Sequence, residues 1–368
     1  MRVTSLRVRS LRTHAALELS LDHNLTVVDG PNGAGKTNLL EAIVLAATGR
    51  SWRTRTDREL VRHGEDAGRA ELGFTDEVGT GHKVSLTVYR GTADRQHVLD
   101  GGKVELGAPR PLVVVFAPDR LALVQGSPQG RRGHLDQLVA ALWPSRNAAR
   151  AEYSRALGQR NALLHRSGGP AMEAWEYELA RHGVALRTAR QNAIDALSTG
   201  FAELATDLGI TGKPSLAYRP ADSTESVEDL ARLFAERRDR DRDRGFTTVG
   251  PHRDEILLRR DDRDLRSFGS QGEQRLAVLA LLLTERALIT EVRGRPPLAL
   301  LDDVGSELDP ERRRRLVTEV CRYGQVVIAT TSANELGTSG LPSAPQLVHV
   351  SAVDGAEVPT SVVEVDAR

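Results

Sequence analysis

Apolar and polar positions change rhythm along the 368 residues of this chain, and the changes divide it. Met1 to Arg9 alternates apolar and polar residues, the two-residue period of a half-buried strand. Leu25-Thr26-Val27-Val28 is a short apolar run. Leu39, Leu40, Ile43, Val44 and Ala47 then recur at helical spacing, and Val113-Val114-Val115-Phe116 predicts a buried strand stopped by Pro118. Beyond it the texture turns helical. Leu135, Leu138, Val139 and Leu142 keep helical intervals before Pro144, and Trp175 to Leu208 does so over a stretch long enough for a helix of roughly 50 Å. That region closes with the alternating charges Arg237 to Arg244, which read first as a solvated helix face laced with ion pairs and second as a DNA contact. After Gly245 strands and helices alternate again, and no internal repeat is visible. The pattern predicts an α/β lobe built from residues 1–116 and 245–368, split by a helical insertion at 117–244.

The turn between the first apolar run and the first helix carries the clearest chemistry. Gly30-Pro31-Asn32-Gly33-Ala34-Gly35-Lys36-Thr37 is a complete phosphate-binding P-loop in the context it needs, a strand before it and a helix after it. Glycines let backbone N–H groups approach the phosphates, Lys36 brings a compact cation to them, and the Thr37 hydroxyl is placed to ligate Mg²⁺. Only four of the fifty basic residues are lysines, so a lysine here stands out against an arginine background.

A second half of such a site is expected further on. Leu298-Ala299-Leu300-Leu301 runs into Asp302 and Asp303, the arrangement that puts one acid beside the Mg²⁺ and another near the attacking water. Ser270-Gln271-Gly272-Glu273-Gln274-Arg275 precedes a long apolar stretch, so Ser270 is a candidate cap aiming N–H donors at an anion. Ser306-Glu307-Leu308-Asp309-Pro310 follows the acids, and Val326 to Thr331 reads as another strand ending in hydroxyls.

Composition adds bounds rather than chemistry. Lys+Arg and Asp+Glu balance at fifty each, so any nucleic-acid surface must be a local patch. A single cysteine, Cys321, excludes an intrachain disulfide, fits a reducing cytoplasm and is expected to be buried and inert. No apolar stretch approaches the ~20 residues that span a bilayer, and the N-terminus has no signal-peptide core, so a soluble chain with no membrane partner is expected.

The succession of P-loop, Ser-x-Gly-x-Gln, acid-tipped strand, Ser-x-Leu-Asp and final strand resembles the ABC-type ATPases, and among them the SMC-like heads. More narrowly it is similar to the RecF family of bacterial recombination mediators. The resemblance covers nearly the whole chain: Gly30 to Asn38, Glu41-Ala42-Ile43 leading to Gly49-Arg50-Ser51, Phe116-Ala117-Pro118-Asp119, Gly126-Ser127-Pro128 before Arg131-Arg132, Thr248 to Asp254, Ser270 to Arg275, Leu301 to Val304 and Ser306 to Asp309.

It implies an ABC-type ATPase head with a mixed sheet, and an inserted helical lobe bearing a short helical arm. ATP and Mg²⁺ are the implied cofactors. Gly30, Pro31, Asn32, Gly33, Ala34, Gly35, Lys36, Thr37 and Asn38 would bind nucleotide from one side, and Ser270, Gly272 and Gln274 from the other. Thr37 and Asp302 would hold the metal, and Asp303, Lys36 and Ser270 would serve catalysis. Two copies would close head-to-tail on two ATP molecules as an ATP-dependent homodimer. Such a dimer would bind single-stranded and gapped double-stranded DNA in the cytoplasm and work with RecR and RecO to place RecA, with links to DNA replication and the SOS response. A weak, DNA-dependent ATPase follows.

Departures from the broader pattern are Ala117-Pro118-Asp119 where ABC proteins carry a glutamine, Asp303 in place of a glutamate and Thr330-Thr331 in place of a switch histidine, while Glu273 and Gly305 are unusual for the RecF family itself. DNA contacts are sought in Arg50, Arg53, Arg55, Arg58 and Arg62, in Arg131-Arg132 and in Arg312 to Arg315, with solvated surface arginines as the alternative for each; His252 is a DNA, hinge or structural residue. A transporter-type energy-coupling subunit competes, but it predicts the glutamate and switch histidine that the sequence lacks. A nucleotide-gated protein scaffold is the third reading.

Overall fold

The N-terminal alternation forms β1 (Arg2–Leu11), with Val3, Leu6, Val8 and Leu11 buried and the residues between them facing out or partly covered. It pairs antiparallel with β2 (His14–Ser20). The apolar run becomes β3 (Leu25–Asp29) and the periodic stretch α1 (Lys36–Thr48), ended by Gly49 in the left-handed conformation at φ 74. Next come β4 (Ala67–Thr75), β5 (Gly81–Tyr89), β6 (Arg95–Leu99), β7 (Gly102–Lys103) and β8 (Val113–Phe116). Strands β1, β2 and β4 to β7 make one antiparallel sheet in the order β2-β1-β4-β5-β6-β7. Helix α1 is apolar nearly all round, and its Leu39, Leu40, Ile43 and Leu45 share a core with residues of both this sheet and the P-loop sheet.

Helices then dominate: α2 (Ala122–Gln125), α3 (Pro128–Leu142), α4 (Asn147–Leu164) and α5 (Ala171–Asp207), the last about 55 Å long at 1.5 Å per residue. Ser127 caps α3 by accepting from the Gly130 N–H at 3.2 Å, with Pro128 in the first turn. Strand β9 (Pro214–Arg219), α6 (Val227–Glu236), α7 (Arg238–Arg244), β10 (Glu255–Arg260), β11 (Arg263–Asp264), α8 (Leu265–Phe268) and α9 (Gln271–Arg293) follow. The chain finishes with β12 (Leu298–Asp302), α10 (Pro310–Cys321), β13 (Val326–Thr330), β14 (Gln346–Ala352) and β15 (Ser361–Val365). The P-loop sheet has the order β15-β14-β3-β13-β12-β8, parallel throughout except for β15.

This computed structural model describes residues 1–21, 23–54, 56–105, 108–165, 171–303, 308–336, 344–353 and 358–365. It divides into two compact units, Met1–Asp119 with Ile289–Arg368, and Arg120–Leu288. The second boundary corrects the expected return at Gly245. Residues from there to Leu288 belong to the second unit because β10 pairs antiparallel with β9, Ile256 opposite Tyr218, and because Asp254 is locked into it. The Asp254 carboxylate accepts from both Arg187 Nε and Nη2 at 3.1 Å, from the Ala221 N–H at 2.8 Å and from the Tyr218 hydroxyl.

The alternating charge run is helical, as its pattern predicts, but it is not wholly a solvated face. Asp241 is fully buried, accepting from Arg160 Nη1 at 2.7 Å and from the Thr248 hydroxyl at 2.6 Å, while Arg238 pairs with Glu176 at 2.6 Å. Cys321 is half-buried rather than buried. No helix among the described residues is long and apolar enough to cross a membrane.

Candidate nucleotide site

The P-loop leaves the carboxyl end of β3 and turns into α1 through three glycines with positive φ, Gly30 at 148, Gly33 at 80 and Gly35 at 108. Two of them are fixed by their surroundings. A Cβ on Gly30 would stand 2.0 Å from the Val350 carbonyl oxygen, and one on Gly35 would stand 2.2 Å from Ser361 Oγ and 2.8 Å from Thr13 Oγ1. Gly33 meets nothing within 4 Å, and Pro31, Asn32 and Gly33 are exposed while Ala34 is buried.

The Lys36 ammonium folds back over the loop and donates to the Gly30 carbonyl at 2.7 Å and the Pro31 carbonyl at 2.9 Å. Burial lowers its pKa, against the attraction of Asp303, Asp302 and Asp29. His14 Nε2–H donates to the Gly35 carbonyl at 3.1 Å, and Asn38 Nδ2 donates to Thr13 Oγ1 at 2.9 Å. Behind the loop, fully buried Glu41 accepts from Arg12 at 2.8 and 3.0 Å, from Arg53 at 3.2 Å and from Ser51 Oγ at 2.5 Å. Glu41 and Ser51 therefore work as framework beneath the loop.

Parallel pairing brings the acid-tipped strand to the same sheet edge. Asp29 stands opposite Thr330, Asp302 opposite Ala329, and Leu301 opposite Phe116, so the carboxyl ends of β3, β13, β12 and β8 line up. There Thr37 Oγ1 donates to Asp302 Oδ1 at 2.8 Å. Burial raises the Asp302 pKa, and the charges of Asp303 and Asp119 raise it further, while the Thr37 bond and Arg53 oppose them. Such a carboxylate, beside a hydroxyl and other acids, has the oxygen donors and unbalanced negative charge that suit Mg²⁺. Asp303 takes a left-handed φ of 51, with its N–H bonded to the Ala329 carbonyl at 3.0 Å. Asp119 has no assigned role in the sequence reading. It lies in the short helical turn at 118–121 that follows β8, within the segment that stands where ABC proteins carry a glutamine, and its signal was its place after an apolar strand.

Ser270 and Gly272 lie in the other unit, exposed at the start of α9. Ser270 Oγ accepts from the Glu273 N–H at 3.2 Å, and Glu273 Oε2 accepts from the Ser270 N–H at 2.8 Å. This reciprocal capping box gives the unusual Glu273 a local purpose, and Arg260 pairs with its carboxylate. Gln274 is a correction to the expected nucleotide ligands. It is 4% exposed; its Nε2 donates to the Leu265 carbonyl at 2.7 Å and its Oε1 accepts from Gln125 at 2.6 Å. Gln274 is a clamp within the second unit. Asp309 caps α10 by accepting from the Arg312 N–H at 3.0 Å, while Val304, Gly305, Ser306 and Glu307 lie outside the described residues.

The candidate DNA arginines separate by burial. Arg50 and Arg58 are exposed; Arg53 also bonds Asn38 Oδ1 at 2.9 Å, Arg62 bonds Thr360, and Arg55 lies outside the described residues. Arg131 is not a surface contact: it is 5% exposed and held by Glu255 at 2.6 Å and the Gly126 carbonyl at 2.9 Å. Arg132 donates to the Asp254 carbonyl at 2.7 Å. In the last cluster Arg315 pairs with Glu311 at 2.5 Å and Arg314 is exposed. His252 is built into the framework, with Nδ1 accepting from the Tyr153 hydroxyl at 2.7 Å and Nε2–H donating to the Thr247 carbonyl at 3.0 Å.

Comparison with known proteins places this geometry. The family model described as the RecF/RecN/SMC N terminal domain matches residues 2–354. A DNA replication and repair protein RecF from Anaeromyxobacter sp. (strain Fw109-5) is 40% identical over 351 residues, covering 91% of this chain and 94% of that protein. The protein of the same description from Streptomyces avermitilis is 36% identical, with coverage of 91% and 94%. The solved structure of the recombination mediator protein RecF-ATP in the RecFOR pathway matches with a TM-score of 0.86 at 24% identity, over 100% of this chain and 98% of that one. An Smc head bound to the C-winged helix domain of ScpA matches with a TM-score of 0.59 at 17% identity, over 99% and 98%. These likenesses show the fold, an α/β head of the ABC and SMC type.

Proposed function

Because this chain belongs to the RecF/RecN/SMC family, and within it to RecF, we propose that it is an ATP-dependent DNA-binding protein of recombinational repair. The observation that carries the nucleotide half of the proposal is the Thr37–Asp302 bond of 2.8 Å, which joins the P-loop hydroxyl to the acid of β12. The P-loop amides and Lys36 would bind the phosphates, and Thr37 and Asp302 would hold Mg²⁺, which supplies charge neutralisation at the phosphates. Gly30 and Gly35 keep the cradle free of side chains. In this reading the first unit is the ATPase lobe and the second the helical lobe bearing Ser270.

Ser270, exposed and capping α9, presents its N-terminal amides to a γ-phosphate held by a second copy, so ATP closes a homodimer. ATP binds the dimer better than the monomer and shifts the equilibrium by that difference. The closed dimer is the state that holds single-stranded and gapped DNA. By its relatives' descriptions as DNA replication and repair proteins, and the RecFOR pathway of a structural neighbour, RecR and RecO are its partners; placing RecA on gaps, with links to replication and the SOS response, is the role in the cell. Asp303 is one methylene shorter than a glutamate, and a misplacement of about 1 Å costs on the order of a hundredfold in rate. Hydrolysis is therefore slow and serves release.

Gel-shift titration of gapped DNA tests the proposal. Affinity should rise with ATP and Mg²⁺ and fall steeply with salt as counterions are released. DNA binding indifferent to ATP would overturn it.

A further inference from the structure

The segment leading into Ser270 displays an aromatic ring. Phe268 is 63% exposed, a large apolar side chain facing solvent two positions before the capping serine. Its position is fixed from below. Asp264 caps α8 by accepting from the Arg266 N–H at 2.9 Å, and the Gly269 N–H closes the turn on the Leu265 carbonyl at 3.0 Å. Buried Gln274 donates to the same carbonyl at 2.7 Å and to the Gly269 carbonyl at 3.3 Å. Gly269 has no room for a side chain, since a Cβ would lie 2.7 Å from the Leu265 carbonyl oxygen. A loop held at this many points, with its largest apolar group outside, is ordered in advance for contact.

We infer that Phe268 is an apolar anchor of the interface between two copies of this chain, seated on the partner's P-loop lobe when the dimer closes. The inference rests on the proposed ATP dimer and follows from chain geometry. Consecutive Cα atoms are about 3.8 Å apart, so Phe268 lies within about 8 Å of Ser270 along the backbone. If Ser270 reaches a phosphate on a second copy, Phe268 falls inside the same footprint. Its ring there removes apolar surface from water next to a charged site, the arrangement in which an aromatic side chain contributes most to an interface.

Sedimentation in ATPγS and Mg²⁺ tests the inference. Burying a phenylalanine side chain is worth about 1.5–3 kcal/mol and the symmetric dimer would bury two, so Phe268→Ala should raise the dimer dissociation constant on the order of a hundredfold to ten-thousandfold. Monomer affinity for ATP and the unfolding midpoint without nucleotide should stay as in the wild type, because the ring packs against solvent in the single copy. In Phe268→Trp the added indole emission should shift to the blue on adding ATPγS and Mg²⁺, and Lys36→Ala in that background should abolish the shift. A wild type that never dimerises would overturn the underlying ATP-dimer reading. A wild type that dimerises alongside an unaltered Phe268→Ala dimer, or an indole that stays exposed in the dimer, would overturn the role of Phe268 alone.

Discussion

In the proposed mechanism the P-loop and the Ser270 loop carry the two halves of the nucleotide site, and they are built in opposite ways. Around Lys36 the chemistry is enclosed: Lys36 is 7% exposed with its ammonium bound to its own loop, Asp302 is 7% exposed, and Gly30 and Gly35 are wedged against Val350, Ser361 and Thr13. Around Ser270 the support is enclosed and the chemistry faces out, with Gln274 buried below and Ser270, Gly272 and Phe268 exposed above. An enclosed half is sensitive to any added atom. An outward half is tolerant in the single copy and, in the proposed mechanism, sensitive only when a second copy arrives.

Glycine substitutions press hardest on this contrast. Gly30→Ala forces a Cβ into the Val350 backbone at a φ that side chains avoid, so we expect loss of ATP binding and about 3 kcal/mol of stability, measured by nucleotide titration and urea unfolding. Next comes Asp302→Asn, which removes a charge beside Thr37 without changing shape. ATP affinity should fall about tenfold to a hundredfold with Mg²⁺ present and little in EDTA; equal losses in both would argue against a metal role.

Acid tests the framework of the second unit. Burial, with Arg253 and Arg132 adding to it, pushes His252 down to about 4 despite its bond to the Thr247 carbonyl. A histidine whose folded pKa is depressed binds its proton more readily when unfolded, so stability falls as pH drops below the unfolded value near 6.5 and keeps falling until pH 4. At pH 5.5 this amounts to about 1.5 kcal/mol, and His252→Gln should flatten that slope in urea titrations. The smallest effect belongs to Gly272→Ala. The new methyl would find only Ser270 Oγ, at 4.0 Å, so stability should hold within about 0.5 kcal/mol while ATP-dependent association weakens.

Local signals made the enclosed half legible. A strand, a glycine turn and a helix are adjacent in sequence, and the apolar runs of β12 and β13 stood out because a parallel sheet buries both faces. What the sequence concealed depends on distant partners. Asp241 looks like its neighbours in an alternating run until Arg160 is brought to it, and Gln274 looks like a ligand until Gln125 and the Leu265 carbonyl enclose it. Arg131 reads as surface charge until Glu255 pairs with it. The boundary at Leu288 was hidden for the same reason, since β10 finds its partner in β9, which precedes it by a helix and a charge run.

Mixing two defective proteins tests the central claim most directly, that each nucleotide is completed by a second copy. Lys36→Ala lacks a P-loop cation and Ser270→Arg lacks a cap, and neither alone should dimerise or hydrolyse ATP. In a head-to-tail pair made of one of each, one site keeps both Lys36 and Ser270. We therefore expect ATP-dependent dimers and hydrolysis to return on mixing, toward half the activity per dimer of the wild type. No recovery on mixing, or a Ser270→Arg protein that dimerises and turns over ATP by itself, would contradict the account.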